Sequence, residues 1–266
     1  STDIPFILES YLVGMVATLG DVQAAEHPGL KSMREKLRPQ IERVGNVSVV
    51  PIFGAIMRRP DIIDQLYGDA EDTDAVRGLV EAAARDDSSA ILLDFDSPGG
   101  FYGGGPELAD SIKAASKVKP VVAYTGGMMA SLAYWAGSQA TEIVASRSAT
   151  VGSIGVYIAA FDFSKLYEAA GVKVDLFKNK EGTFKAAGVP GTSLTDSQKE
   201  HFQERAQAGF EEFKKAIQSK RPDVPSEAMR GQTFSGLEAK KMGLVDRVGD
   251  RGFAISVAKK LARGTA

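Results

Sequence analysis

Ala90-Ile91-Leu92-Leu93-Asp94-Phe95 runs directly into Asp96-Ser97-Pro98-Gly99-Gly100, and Pro106 follows a few residues later. A near-continuous apolar run closed by turn residues is the pattern of a strand covered on both faces, as in a parallel sheet. Proline suits the first position of a helix, where the N–H it lacks would have no partner and its φ is already helical. The stretch therefore predicts strand, glycine-rich turn and helix, the unit of a parallel α/β sheet. The same alternation extends both ways. Val47 to Phe53 reads as a strand, and Asp74 to Arg85 as a helix with Val76, Leu79, Val80 and Ala83 on one face. Pro120 to Tyr124 and Glu142 to Ala145 read as further strands. Beyond them the pattern predicts a helix from Phe163 to Ala169, a strand from Val172 to Phe177 and a flexible loop from Lys178 to Leu194. Thr195 and Gln198 form a capping-box pattern for a long helix reaching about Ser219. Phe234 to Val248 and a last helix to about Ala262 close the chain. We expect a single α/β domain over residues 46–266 with a largely parallel sheet. A helical, charged extension is expected over residues 1–45, interrupted by Pro28-Gly29.

Composition removes several kinds of chemistry. With no cysteine among 266 residues, thiol catalysis, disulfides and cysteine-ligated zinc are excluded. The two histidines, His27 and His201, sit in polar or charged segments and read as surface groups. The chain thus lacks residues for the imidazole base of a Ser-His-Asp triad and for a histidine-rich metal cluster. A formal charge of −2, with lysine and arginine interspersed among acids, argues against nucleic acid as the main partner. A dinucleotide loop over Gly99–Gly105 fails on register, because Leu108 stands where a third glycine is needed, and no Gly-Lys-Ser/Thr follows for a phosphate loop. No cofactor and no metal are expected. The apolar segment Ile4–Ala17 is broken by Pro5, Glu9 and Ser10, short of the ~20 residues that span a bilayer. It also lacks the basic start of a signal peptide. It reads as an amphipathic helix packing on the body or on a neighbouring subunit, so no integral membrane segment is expected in this chain. An anchor ahead of Ser1 stays open, and with it the compartment.

Ser131 lies in Gly126-Gly127-Met128-Met129-Ala130-Ser131-Leu132-Ala133-Tyr134-Trp135, small and apolar residues presenting one hydroxyl where a strand gives way to a helix. Lys185 lies in Gly182-Thr183-Phe184-Lys185-Ala186-Ala187. A serine needs a base to take its proton. With histidine removed, a lysine held neutral by burial among apolar neighbours is the candidate. Gly100, after a buried strand, and Leu132, just past the serine, are candidate backbone oxyanion donors. Each residue also has a plainer reading: Ser131 as a small helix residue on the sheet, Gly99-Gly100 as a tight turn, Lys185 as one more surface lysine. Ser153 is a rival serine, but Gly152-Ser153-Ile154-Gly155 lacks the Gly-x-Ser-x-Gly spacing of a nucleophile elbow. It reads as lining a turn or the cleft, while Ser97 shapes its loop.

The ordered set Asp96-Ser97-Pro98-Gly99-Gly100, Met129-Ala130-Ser131, Thr150–Val156, Gly182-Thr183-Phe184-Lys185-Ala186 and Gly243-Leu244-Val245-Asp246 resembles the signal peptide peptidase A-like serine peptidases over roughly residues 46–250. That resemblance implies a Clp-protease/crotonase-like fold of repeated ββα units. It also implies a Ser-Lys dyad of Ser131 and Lys185, oxyanion donors at Gly100 and Leu132, and assembly into a homo-oligomer. Leu132-Ala133 departs from the two glycines that many bacterial members carry after the serine. Pro5-Phe6-Ile7-Leu8-Glu9 resembles the phage and prophage head-maturation branch, whereas other members degrade cleaved signal peptides. The implied activity is endopeptidase cleavage of peptides or unfolded segments after small or apolar residues, through an acyl-enzyme. The competing reading is a crotonase-fold acyl-CoA enzyme using the same glycine amides on a thioester oxygen.

Overall fold

The computed structural model describes residues 39–60 and 70–264. Most of the expected N-terminal extension, including Ile4–Ala17 and His27, lies outside the described residues. In chain order the elements are β1 Glu42–Val44, β2 Val47–Phe53, β3 Ala55–Met57, β4 Ala70–Asp72, α1 Thr73–Arg85, β5 Ala90–Ser97, α2 Gly105–Val118, β6 Val121–Ala130, α3 Leu132–Gly137, β7 Glu142–Ala145 and β8 Thr150–Gly152. They continue with α4 Ser164–Ala169, α5 Asp196–Lys220, β9 Thr233–Ser235, α6 Gly236–Lys241, β10 Arg247–Val248 and α7 Arg251–Ala262. Among the described residues there are two compact units. Residues 156–210 form one, and the remainder forms the other.

The larger unit is built on an eight-stranded sheet whose main path is β1-β2-β5-β6-β7-β10, with β8 joining β6 and β9 joining β8. β2, β5, β6, β7 and β10 run parallel to one another and β8 runs parallel to β6, whereas β1 pairs antiparallel with β2 and β9 with β8. Parallel neighbours need crossover helices, which cover both faces and make the strands apolar throughout. On one face α7 brings Ala254, Val257 and Ala258 against Val47, Val49, Leu92, Val122 and Val144. On the other face α1 and α3 pack on the sheet and α2 packs on α1 and α3. Every residue from Ala90 to Leu93 is therefore fully buried.

β2, β5, β6 and β7 are each followed by a second short extended piece. β3 follows β2, an isolated bridge at Gly100 follows β5, residues 128–130 extend β6, and β8 follows β7. Second pieces pair as Ile56 with Gly100 and as Met128–Ala130 with Thr150–Gly152, and Ser97 at the end of β5 pairs with Met129. This is the repeated ββα pattern of the Clp-protease/crotonase-like class.

Two local expectations are corrected. Residues 42–44, placed at the end of a helical extension, form β1, because Gly45-Asn46 makes a hairpin turn that pairs them with Val47–Val49. Val172 to Phe177 forms no strand: no neighbouring strand supplies ladder partners, and Phe177 is almost wholly exposed. In the smaller unit the capping box forms as expected. Thr195 N–H donates to Gln198 Oε1 at 3.1 Å, and Gln198 N–H donates to Thr195 Oγ1 at 3.3 Å. Among the described residues no helix is long and apolar enough to cross a membrane.

Asp86, at the end of α1, ties β1, β2 and the end of α2 together. It accepts from the Ser48 hydroxyl, from Ser88 N–H at 2.8 Å, from Lys119 Nζ at 3.1 Å and from Arg43 at 3.0 Å. Burial alone would push this carboxyl up, but the hydrogen bonds from Ser48, Ser88 and Lys119 outweigh it and hold Asp86 well below the usual carboxylate range. A depressed carboxyl contributes stability that is present above its unfolded value and lost as pH falls through the folded one. We predict that Asp86→Asn lowers stability at neutral pH by about 2 kcal/mol and flattens the fall in stability below about pH 4. Thermal unfolding of both proteins between neutral and acid pH checks this; parallel curves would show that Asp86 is not the anchor.

Candidate active site

Ser131 stands between the last residue of β6 and the first of α3, with φ 51° and ψ −123°. An L-residue rarely adopts that conformation, and it persists only where its surroundings over-determine it. Here Ser131 N–H donates to Gly152 O at 2.8 Å, and Ser131 O accepts from Trp135 N–H at 2.9 Å. The first contact belongs to β8 and the second to α3, so the turn is clamped on both sides. Ser131 is half-buried, which leaves its side chain reachable.

The loop after β5 presses against this turn. A Cβ on Gly99 would lie 2.7 Å from Ser131 Cβ and 2.8 Å from Leu132 N, so no other residue fits there at φ 100°. Ser97 Oγ, fully buried, accepts from Gly99 N–H at 3.2 Å and shapes the loop as its sequence context predicts. The bridge from this loop to Ile56 uses Gly99 O, at 2.7 Å from Ile56 N, and Phe101 N–H, at 2.9 Å from Ile56 O. The Gly100 N–H takes no part in it, and Gly100 is exposed. Leu132 is the first residue of α3, where a backbone N–H has no partner within the helix. The structure thus brings together Ser131, the Gly99-Gly100 loop and Leu132 within one unit.

The apolar residues around Ser131 divide sharply. Met129, Tyr134 and Trp135 are core: the Tyr134 hydroxyl donates to Leu244 O at 2.8 Å, and Trp135 stacks on Phe213 at 4.7 Å. Phe101 and Tyr102 are exposed, and Met128 is half-buried. Tyr102 meets Trp135 edge-on at 6.0 Å, and its hydroxyl donates to Glu212. Ser153, the rival serine, also has φ 51° and donates its N–H to Gln232 O at 2.8 Å. It directly follows the glycine whose carbonyl holds Ser131.

Lys185 belongs to the smaller unit, in a turn closed by its own N–H on Gly182 O at 3.1 Å. The buried Gln198 that caps α5 also donates its side-chain amide to Thr183 O at 2.9 Å, fastening this turn to the helix start. Lys185 is exposed, and Phe184 tilts against His201 at 5.0 Å. The apolar neighbours expected to desolvate Lys185 therefore do not bury it. Lys178 and Lys180 are exposed as well, and Lys178 Nζ donates to Thr183 O. Among the described residues no group of histidine, cysteine and carboxylate side chains is placed to hold a metal ion.

Residues 113–264 match the family model described as Peptidase family S49, and this chain belongs to that family. It is 34% identical over 188 residues to protein MJ0651 of Methanocaldococcus jannaschii, covering 69% of this chain and 60% of that one. It is 28% identical over 221 residues to the capsid assembly protease C of Escherichia phage lambda, covering 81% of this chain and 49% of the relative. It is 26% identical over 275 residues to Protease 4 of Salmonella typhi, covering 97% of this chain and 43% of the relative. The chain thus spans between 43% and 60% of the length of these relatives. The solved enoyl-CoA hydratase of Thermoplasma volcanium GSS1 is similar at a TM-score of 0.49 and 15% identity, covering 85% of this chain and 78% of that one, a likeness on which nothing functional rests.

Proposed function

We propose that this chain is a serine endopeptidase working through an acyl-enzyme, with Ser131 as nucleophile and Lys185 as general base. The observation that carries the reading is the clamped, positive-φ turn at Ser131 with the Gly99-Gly100 loop packed against it. In the reaction, neutral Lys185 takes the hydroxyl proton as Ser131 Oγ attacks the scissile carbonyl. The oxygen that becomes negative lies between the N–H groups of Gly100 and Leu132. The tetrahedral intermediate collapses as Lys185 returns its proton to the leaving amine, and water then hydrolyses the ester by the same path. A lysine of ordinary pKa is almost fully charged at neutral pH, so the base in this reading has to be desolvated before it can accept a proton. Its turn leaves it exposed in the single chain, and we assign the desolvation to assembly and bound substrate.

A homo-oligomer is part of this reading. Tyr157, Phe161 and Phe177 in the smaller unit are each more than two-thirds exposed, an amount of aromatic surface that a lone chain gains nothing by displaying. The substrate is a peptide or unfolded segment, cleaved after small or apolar residues, since Phe101 and Met128 are the side chains left to line a cleft and neither is charged. The relatives' names include a capsid assembly protease and Protease 4; capsid maturation and signal-peptide degradation both use this chemistry.

Ser131→Ala and Lys185→Ala should each lower kcat/KM on an unstructured apolar peptide by on the order of 10⁴-fold, with the double variant no worse, because the pair acts as a unit. Lys185→Arg should not rescue activity, since a guanidinium stays charged, while Lys178→Ala and Lys180→Ala should stay within about threefold of wild type. A folded Ser131→Ala protein with wild-type turnover would overturn the assignment. Activity per subunit, followed with light scattering over a dilution series, should fall as the assembly dissociates; a fully active monomer would contradict the role given to assembly.

A further inference from the structure

We propose that Asp96 is a positioning residue for the nucleophile: its carboxylate holds the N–H of Met128 at a slip in β6 and thereby fixes the register in which Ser131 leaves the strand. The proposal rests on Ser131 being the nucleophile, but the contact itself stands on the sheet geometry alone.

β5 and β6 pair in register from Ile91 with Val121 to Phe95 with Thr125, and the next pair is Ser97 with Met129. Between those two pairs β5 has a single residue, Asp96, while β6 has three: Gly126, Gly127 and Met128. A bulge of this kind takes backbone groups out of the ladder and re-aims the strand beyond it. Here the Asp96 side chain supplies what the ladder has lost, accepting from Met128 N–H at 3.0 Å. Beyond that point β6 resumes, with Met128, Met129 and Ala130 opposite Thr150, Val151 and Gly152, and Ser131 N–H closes on Gly152 O. Ser131 follows the Asp96-held Met128 by only three positions. A slip of one residue would exchange the faces of this segment, turning buried Met129 out and Ser131 away.

Gly127 gives an independent handle on the same contact. A Cβ there would lie 2.5 Å from Asp96 Oδ1 and 2.8 Å from its Cγ, so a side chain at 127 and the Asp96 contact exclude each other. Asp96 is exposed, and among the described residues it forms no ion pair. A surface carboxylate spent on one backbone N–H next to two exposed glycines is explained by the register it sets. What matters is then the acceptor oxygen, not the charge.

The test compares Asp96→Ala, Asp96→Asn, Gly127→Ala and the Asp96→Ala/Gly127→Ala double variant in the full chain. Two readouts are used: the rate at which a fluorophosphonate acylates Ser131, and amide hydrogen exchange over residues 126–132. Asp96→Ala and Gly127→Ala should each slow acylation by on the order of 10- to 100-fold, falling on kcat rather than KM with a peptide substrate. The double variant should be no slower than either single one, because both remove one contact. Asp96→Asn keeps an acceptor oxygen and should stay within about threefold of wild type. Exchange at Met128 should quicken in the two alanine variants and not in Asp96→Asn. Wild-type acylation in Asp96→Ala, or a loss in Asp96→Asn as large as in Asp96→Ala, would overturn the proposal, the second by showing that charge and not register is at stake. If wild-type Ser131 does not react at all, the peptidase reading fails, and exchange alone decides the Asp96 contact: unchanged protection of Met128 in Asp96→Ala would overturn it.

Discussion

The site depends on β5 and β6 being adjacent and parallel. Two parallel neighbours end at the same edge of a sheet, so whatever follows each strand meets the other there. After β5 comes the Gly99-Gly100 loop, after β6 comes Ser131, and the register that aligns Ile91 with Val121 leaves them in direct contact. The cost is a conformation at Ser131 that few residues tolerate. The Gly152 carbonyl on one side and the first turn of α3 on the other hold it there. The buried strands behind it matter to function because they leave no slack at this edge.

Much of this was legible in the sequence, for a physical reason. A doubly covered strand needs an unbroken apolar run, and a crossover helix needs an amphipathic one, so β2, β5, β7 and α1 announce themselves within a residue or two, and Pro106 marks the start of α2. Ser131 and Gly99-Gly100 were legible because a hydroxyl or a glycine at the end of such a strand stands out from it. The failures share a different cause. Val172 to Phe177 has the composition of a strand, but composition does not supply a partner, and among the described residues no strand lies beside it to pair. Residues 42–44 became a strand because a hairpin turn brought β2 to them. The slip at Gly126-Gly127 and the reach of Asp96 to Met128 are properties of a pairing, which no window along one strand contains. Likewise, neighbours in sequence did not foretell that Met129, Tyr134 and Trp135 point into the core while Phe101 lies outside.

Lys185 marks the boundary between what one chain supplies and what the chemistry demands. Its turn is well fastened, through Gln198 to Thr183 and through its own N–H to Gly182, so the backbone is prepared. Its side chain is nonetheless exposed. If Lys185 is the base proposed above, covering it on assembly would couple hydrolysis to the assembled, substrate-loaded state. The two N–H groups proposed as oxyanion donors need no such step: Gly100 N–H is free of the Ile56 bridge, and Leu132 N–H heads its helix.

Ser131 as a nucleophile activated by Lys185 is the proposal on which the rest of the chemistry stands. Reaction of the assembled protein with a fluorophosphonate, followed by mass-spectrometric mapping of the adduct, tests it most directly. We expect one adduct per chain, on Ser131, and none in Lys185→Ala on the same timescale. An adduct on Ser153 or another serine, or labelling of Ser131 at an undiminished rate in Lys185→Ala, would contradict it.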